Sequence, residues 1–128
     1  MMMNDGRYGD SVAAFTKNGI DYQVNQRVRE PYYRPNSAFA SDVWEVMDRA
    51  GNLLVTKHND YGPKNISDSP GGPLNGLRVR MHDKIARINN LIDSGKTPEH
   101  ESLRDSFIDL LNYSAIALMV IDGTWPKE

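Results

Sequence analysis

From Ser41 onward the apolar residues return at helical spacing. Val43, Met47, Ala50 and Leu54 recur at steps of four, three and four, which puts them on one face of a helix. Ser41 is placed to cap it, and Asp42 falls in the first turn, against the positive end of the helix dipole. Glu45 and Asp48 sit on the polar flank, and Gly51 weakens the middle. The pattern predicts a helix over about 41–58. A second stripe, Leu77, Met81, Ile85, Ile88 and Ile92, predicts a helix over about 75–94, closed by Gly95 where a positive φ is needed. A third predicts a helix over about 97–122, with Thr97 as cap and Pro98 in the first helical position. Its apolar face runs from Leu103 and Phe107 to Leu118 and Ile121, and beyond Ile116 it is apolar almost all round. Such a helix is buried, and three helices alone bury it poorly. The pattern therefore predicts an all-α bundle completed by association of subunits, as a homodimer or homotetramer.

The connecting stretch "NDYGPKNISDSPGGPLNG" (59–76) is dense in Gly, Pro, Asn and Ser, which excludes a long helix. A loop of that length in a compact domain is usually functional or mobile. Residues 1–40 read differently. Ile20, Tyr22 and Val24 alternate with polar residues, a weak strand signal, and "REPYYRPNS" (29–37) carries two prolines that break regular structure. This part is expected to be an irregular N-terminal arm, or small ribbon, lying on a helical domain of residues 41–128.

Composition narrows the function. The 128 residues fit one domain, and 15 Lys plus Arg against 17 Asp plus Glu leave no basic surplus for direct nucleic-acid binding. The absence of cysteine removes disulfides and thiolate metal sites. "MMMNDGRYGD" lacks the apolar core of a signal peptide, and the longest apolar run, "AIALMVI" (115–121), is too short for a bilayer. The expectation is a cytoplasmic protein without a membrane partner.

The candidate chemistry lies in "ESLRDSFIDLLNY" (101–113). Read as a helix, Glu101, Asp105, Asp109 and Asn112 share one narrow stripe, with no Lys or Arg of the segment on it. Clustered carboxylates suit a hard divalent cation such as Mg²⁺, and Glu101 and Asp105 stand one turn apart. The second helix carries the counterpart, with Arg80, Lys84 and Arg87 in a row and Arg78 and Asp83 nearby. Two readings stand. Metal-bearing acids and the basic row form a triphosphate clamp, or the two rows pair with each other in a salt-bridge layer, which spacing alone slightly favours. "SGKTP" is not a phosphate-binding loop, because it follows a helix and Asn90 stands where the first Gly is required. His58, His82 and His100 have no partner at metal spacing and read as surface or hydrogen-bonded histidines. Trp44 reads as core, and Trp125 as a cover over the end of the bundle.

Three blocks taken together, "KHNDYGPKN" (57–65), "GLRVRMHDKIARINNL" (76–91) and "ESLRDSFIDLLNYSAIAL" (101–118), resemble the nucleotide modification associated domain family of small, largely phage-borne proteins. The residues that carry the resemblance are Lys57, Asp60, Tyr61 and Gly62, then Arg80, Asp83, Lys84 and Arg87, then Glu101, Ser102, Asp105, Asp109, Asn112 and Tyr113. More distantly, that family is similar to all-α nucleoside triphosphate pyrophosphatases of the MazG and dimeric dUTPase kind, which hold Mg²⁺ against a triphosphate with Glu-rich helices. This chain departs from their pattern. Its first helix offers only Glu45 and Asp48, and the third has Glu101-x-x-x-Asp105.

The resemblance implies a nucleotide ligand and Mg²⁺ on Glu101 and Asp105, joined by Glu45 or Asp83. Asp105 and Asp109 are the implied catalytic carboxylates. Lys57, Asp60, Tyr61, Arg78, Arg80, Lys84, Arg87, Asn112 and Tyr113 are the implied substrate contacts, with Tyr61 stacking on the base and Asn112 bonding its edge. The implied reaction is hydrolysis of a canonical or modified nucleoside triphosphate to monophosphate and pyrophosphate. The alternative is a nucleotide-binding or sequestering protein, or an accessory to a modifying enzyme. If phage-encoded, the protein acts in the host cytoplasm.

Overall fold

The computed structural model describes the backbone of residues 12–17, 20–25 and 32–35, and every atom of 36–128. The chain forms two compact units, Met1–Met47 and Asp48–Glu128. In the first, the strands β1 (Val12–Lys17), β2 (Ile20–Asn25) and β3 (Tyr32–Pro35) form an antiparallel sheet in the order β1-β2-β3. Phe15 pairs with Tyr22, and Val24 with Tyr33. The region expected as an arm or ribbon thus contains regular pairing, and the alternation at Ile20, Tyr22 and Val24 marks its central strand.

The rest is helical, as the pattern predicts. There are three long helices, α1 (Ala38–Tyr61), α3 (Pro73–Ser94) and α4 (Leu103–Asp122), with the single turn α2 (Lys64–Ser67) between α1 and α3. Among the described residues no helix is long and apolar enough to cross a membrane. α1 begins three residues earlier than Ser41, because the Ser37 hydroxyl accepts the Ala40 N–H at 3.1 Å and supplies the cap. α3 opens with Pro73 and closes on Gly95, whose φ of 64° fits the left-handed cap expected there.

The larger correction is at α4, which does not start at Thr97-Pro98. Ser102 is its N-cap. The Ser102 hydroxyl accepts the Asp105 N–H, and the Asp105 carboxylate accepts the Ser102 N–H. The Glu101 carbonyl, which a helix begun at Thr97 would bond to Asp105 N, instead accepts a guanidinium N–H of Arg87 from α3. Glu101 therefore precedes the helix, and the four-residue stripe read from the sequence is not one helical face.

The core of the second unit is small. Ile66, Leu77 and Ile116 are buried and packed by Leu54, Tyr113, Ala117, Val120 and Trp125. Each fully buried aliphatic side chain contributes about 1.5–3 kcal/mol. α3 and α4 make the principal helix pair. Gly76 brings α3 against the loop so closely that a Cβ there would stand 2.5 Å from Ser69 Cβ. The predicted stripe of α3 is split, with Leu77 and Ile88 inside and Ile85 and Ile92 exposed. On α4, Phe107, Leu118 and Ile121 are 52%, 60% and 65% exposed. Those three recur at i, i+11 and i+14, one stripe on the side away from Ile116.

Candidate functional site

A cavity of about 360 Å³ opens between the C-terminal part of α1, the loop after it, α3 and α4. Its volume is near the lower end of the usual range for small-molecule sites, about 300–1,000 Å³. All of its lining residues belong to the second unit. Two clusters, one charged and one aromatic, make up most of its wall.

The charged cluster is centred on Lys84. Helix α3 projects its ammonium between two carboxylates, 2.7 Å from Glu101 Oε1 and 2.9 Å from Asp109 Oδ2. Asp109 turns its other oxygen toward Lys57, at 3.4 Å. Glu101 Oε2 accepts the Ser106 hydroxyl at 2.8 Å and pairs with Arg87 Nε at 3.1 Å. Ser106 is fully buried, so Glu101 is anchored from below as well as by its cations.

These neighbours set the protonation states. The Lys84 hydrogen bond is the main influence holding the Glu101 carboxyl down at about 2, against an opposing effect of burial and with help from Ser106. Burial alone would lower the pKa of Lys84, but its bonds to Asp109 and Glu101 outweigh that and raise it. Both shifts keep Glu101 and Lys84 ionised at neutral pH.

The aromatic cluster contains Tyr61, Tyr113, His58 and Trp125. The His58 and Trp125 rings meet edge to face, with centroids 5.1 Å apart and planes at 73°. Trp125 donates its indole N–H to the Pro63 carbonyl at 3.3 Å, and the Ser67 hydroxyl donates to the Pro126 carbonyl at 2.9 Å. The segment after α4 is thereby tied to the turn after α1. His58 Nδ1 is buried and has no hydrogen-bond partner. Asn112 is also buried and donates to the Ala50 carbonyl of α1 at 3.0 Å.

Of the residues singled out in the sequence, Lys57, Tyr61, Arg80, Lys84, Glu101, Asp109, Asn112 and Tyr113 line this one cavity. Arg87 stands behind Glu101, outside the lining. Arg78 is exposed on α3 and donates to Asn75 Oδ1 at 2.9 Å, and Asp60 and Asp83 are exposed. His58 and Trp125, read as bland in the sequence, belong to the wall. His58 lies one turn before Tyr61 on the same helix, a spacing that could have flagged it. Trp125, read as a cover over the end of the bundle, is brought to the cavity wall by how the chain turns after Gly123.

The residues expected to hold Mg²⁺ do not form the anticipated pair. Asp105 is exposed and its carboxylate caps α4, where the Ser102 bonds lower its pKa. Asp83 is exposed, and Glu45 belongs to the unit Met1–Met47. The acids that converge are Glu101 and Asp109, and they converge on the Lys84 ammonium. Among the described residues no three carboxylate or imidazole side chains are grouped as metal ligands. This donor set does not fit a resident divalent ion. Its surplus of ammonium and guanidinium groups suits an anion.

Comparison with known proteins bears on the same elements. No curated protein and no solved structure matches the chain. The family described as "Nucleotide modification associated domain 1" matches residues 57–121, from Lys57 of the charged cluster to the end of α4. The match spans half of the chain and every charged residue of the cavity, and the protein belongs to that family.

Proposed function

We propose that the cavity binds a nucleotide and that the protein serves nucleotide modification as a binding or accessory component. The observation that carries this reading is the pairing of the two clusters in one pocket. Lys57, Arg80 and Lys84 offer N–H donors to phosphate oxygens, while Tyr61, Tyr113 and Trp125 offer ring faces and edges to a base. Asn112 supplies an amide at the same wall, with its N–H₂ held by Ala50 so that its orientation is set before a ligand arrives. Membership of the family supports the reading, since its description concerns nucleotide modification.

Hydrolysis of a nucleoside triphosphate to monophosphate and pyrophosphate is the second reading. It draws on the distant resemblance to MazG-type pyrophosphatases and on the partly buried Asp109 carboxylate in the pocket wall. In that reading Mg²⁺ would arrive with the triphosphate and supply charge neutralisation for its phosphates. The engagement of Glu101 and Asp109 by Lys84 makes binding the stronger reading.

A homo-oligomer is part of the proposal. Exposed apolar residues on α3 and α4, among them Ile92, Phe107, Leu118 and Ile121, are the side chains such an association would cover.

Thermal melting with a panel of canonical and modified nucleotides, with and without Mg²⁺, followed by chromatography of each sample, separates the readings. A ligand that binds the folded state alone raises the melting temperature. Stabilisation with the nucleotide recovered intact supports the binder. Monophosphate and pyrophosphate appearing only with Mg²⁺ supports the hydrolase. No stabilisation by any nucleotide overturns both.

A further inference from the structure

We infer that the ligand of this cavity carries a single phosphate, as a nucleoside monophosphate does, rather than a triphosphate. The inference rests on the nucleotide reading above and sharpens it, from the charges that the cavity has left to offer.

By residue type the lining contains three basic side chains, Lys57, Arg80 and Lys84, and two acidic ones, Glu101 and Asp109. One positive charge is left over, or two if Arg87 behind Glu101 is counted. A phosphate monoester carries roughly −1.5 to −2 at neutral pH, and each further phosphate in a chain adds about one more negative charge. The surplus therefore matches one phosphate and falls short of three.

The cations are also unequally committed. Lys84 is held by two carboxylates, at 2.7 and 2.9 Å, whereas Lys57 has one at 3.4 Å and Arg80 donates to a neutral acceptor, the Asn65 carbonyl, at 3.0 Å. Lys57 and Arg80 are the groups with capacity to spare, and two donors of this kind suit one phosphate group. Glu101 and Asp109 then act against longer chains. Fixed carboxylates in the same wall repel additional phosphates, a device that selects by penalising the wrong ligand. A triphosphate that brings its own divalent ion meets the second obstacle, because the acids that would take the ion are already bridged by Lys84. The small volume of the cavity points the same way.

The experiment compares affinities on the intact protein at constant ionic strength. Inorganic phosphate, pyrophosphate and tripolyphosphate serve as base-independent probes, beside the four common deoxynucleoside monophosphates and their triphosphates, each with EDTA and with Mg²⁺. Calorimetry or melting shifts give the order. Monophosphates are expected to bind at least about tenfold tighter than the matching triphosphates in both buffers, and phosphate tighter than tripolyphosphate. A triphosphate or tripolyphosphate that binds tighter in either buffer overturns the inference and leaves the nucleotide reading standing. Binding of none of these probes overturns both.

Two variants test the charge argument itself. Lys57→Gln, at a half-exposed position, lowers the positive surplus by one and should weaken phosphate about tenfold. Asp109→Asn removes one negative charge and should shift the ratio of affinities toward pyrophosphate. An unchanged ratio in folded Asp109→Asn protein, judged by its circular dichroism, overturns the inference.

Discussion

Lys84 of α3 and Asp109 of α4 meet at 2.9 Å in the wall of the cavity, with Asp109 only 13% exposed. This contact ties the two main helices together and decides which charges remain for a ligand. Removing the ammonium with Lys84→Met leaves Asp109 and Glu101 without their shared cation and should lower stability by about 1–3 kcal/mol. Combining it with Asp109→Asn should cost less than the two single changes added together. Denaturant titration of the four proteins checks this, and strict additivity would show that the pair contributes nothing as a pair.

Glu101 gives the pH dependence of stability a defined sign. Its folded pKa, about 2, lies below the ordinary carboxylate value of 4.5. A group depressed in this way contributes stability that is complete above about pH 4.5 and is lost as the pH falls toward 2. Glu101→Gln should be less stable at pH 7, and its stability should change less over that acid window. Melting temperatures measured from pH 7 down to 2.5 on both proteins test it, and parallel curves would contradict it.

The capping box assigns Ser102 and Asp105 to the start of α4. Ser102→Ala should cost about 1 kcal/mol, typical of a lost N-cap, and fray the first turn. Asp105→Asn should leave nucleotide affinity within about twofold, since this carboxylate serves the cap. A large loss of nucleotide affinity in well-folded Asp105→Asn protein would return Asp105 to the site.

Asn112 joins α4 to α1 through the Ala50 carbonyl at 3.0 Å. In Asn112→Leu the buried amide is gone and a bulkier branched carbon faces that carbonyl. A loss of about 1–3 kcal/mol is expected. Hydrogen exchange should rise first around Ala50, and exchange that rises uniformly along the chain would argue against this local role.

Trp125 closes one wall by its bond to Pro63 and its edge contact with His58. Trp125→Phe keeps an aromatic ring there but loses the N–H donor and part of the ring area packed on the core, so it should cost about 1–2 kcal/mol. Trp125→Ala should cost more and weaken nucleotide affinity. Equal losses in the two variants, by denaturation and by titration with the same nucleotide, would mean that the ring itself does not matter.

The three long helices and the residues that gather round the cavity were legible along the chain, whereas the stretch 59–76, expected as a long loop, is shortened by the end of α1 at Tyr61, the turn α2 and the start of α3 at Pro73. Stripes such as Val43, Met47, Ala50 and Leu54 arise from the period of the helix, and Gly95 marks an end because its φ is positive. These are local rules that a sequence carries in full. Tertiary structure decided what each charge does. Spacing put Glu101 and Asp105 one turn apart on a helix, but Arg87 takes the Glu101 carbonyl from another helix, and Asp105 is spent on the cap. Lys84 could equally have faced phosphate or acid, and the packing of α3 on α4 set it between Glu101 and Asp109. Trp125 and His58 came together only when the segment after Gly123 turned back onto Pro63. An ion pair or a cavity wall depends on residues far apart in sequence whose separation is fixed by packing, and no periodicity encodes that distance.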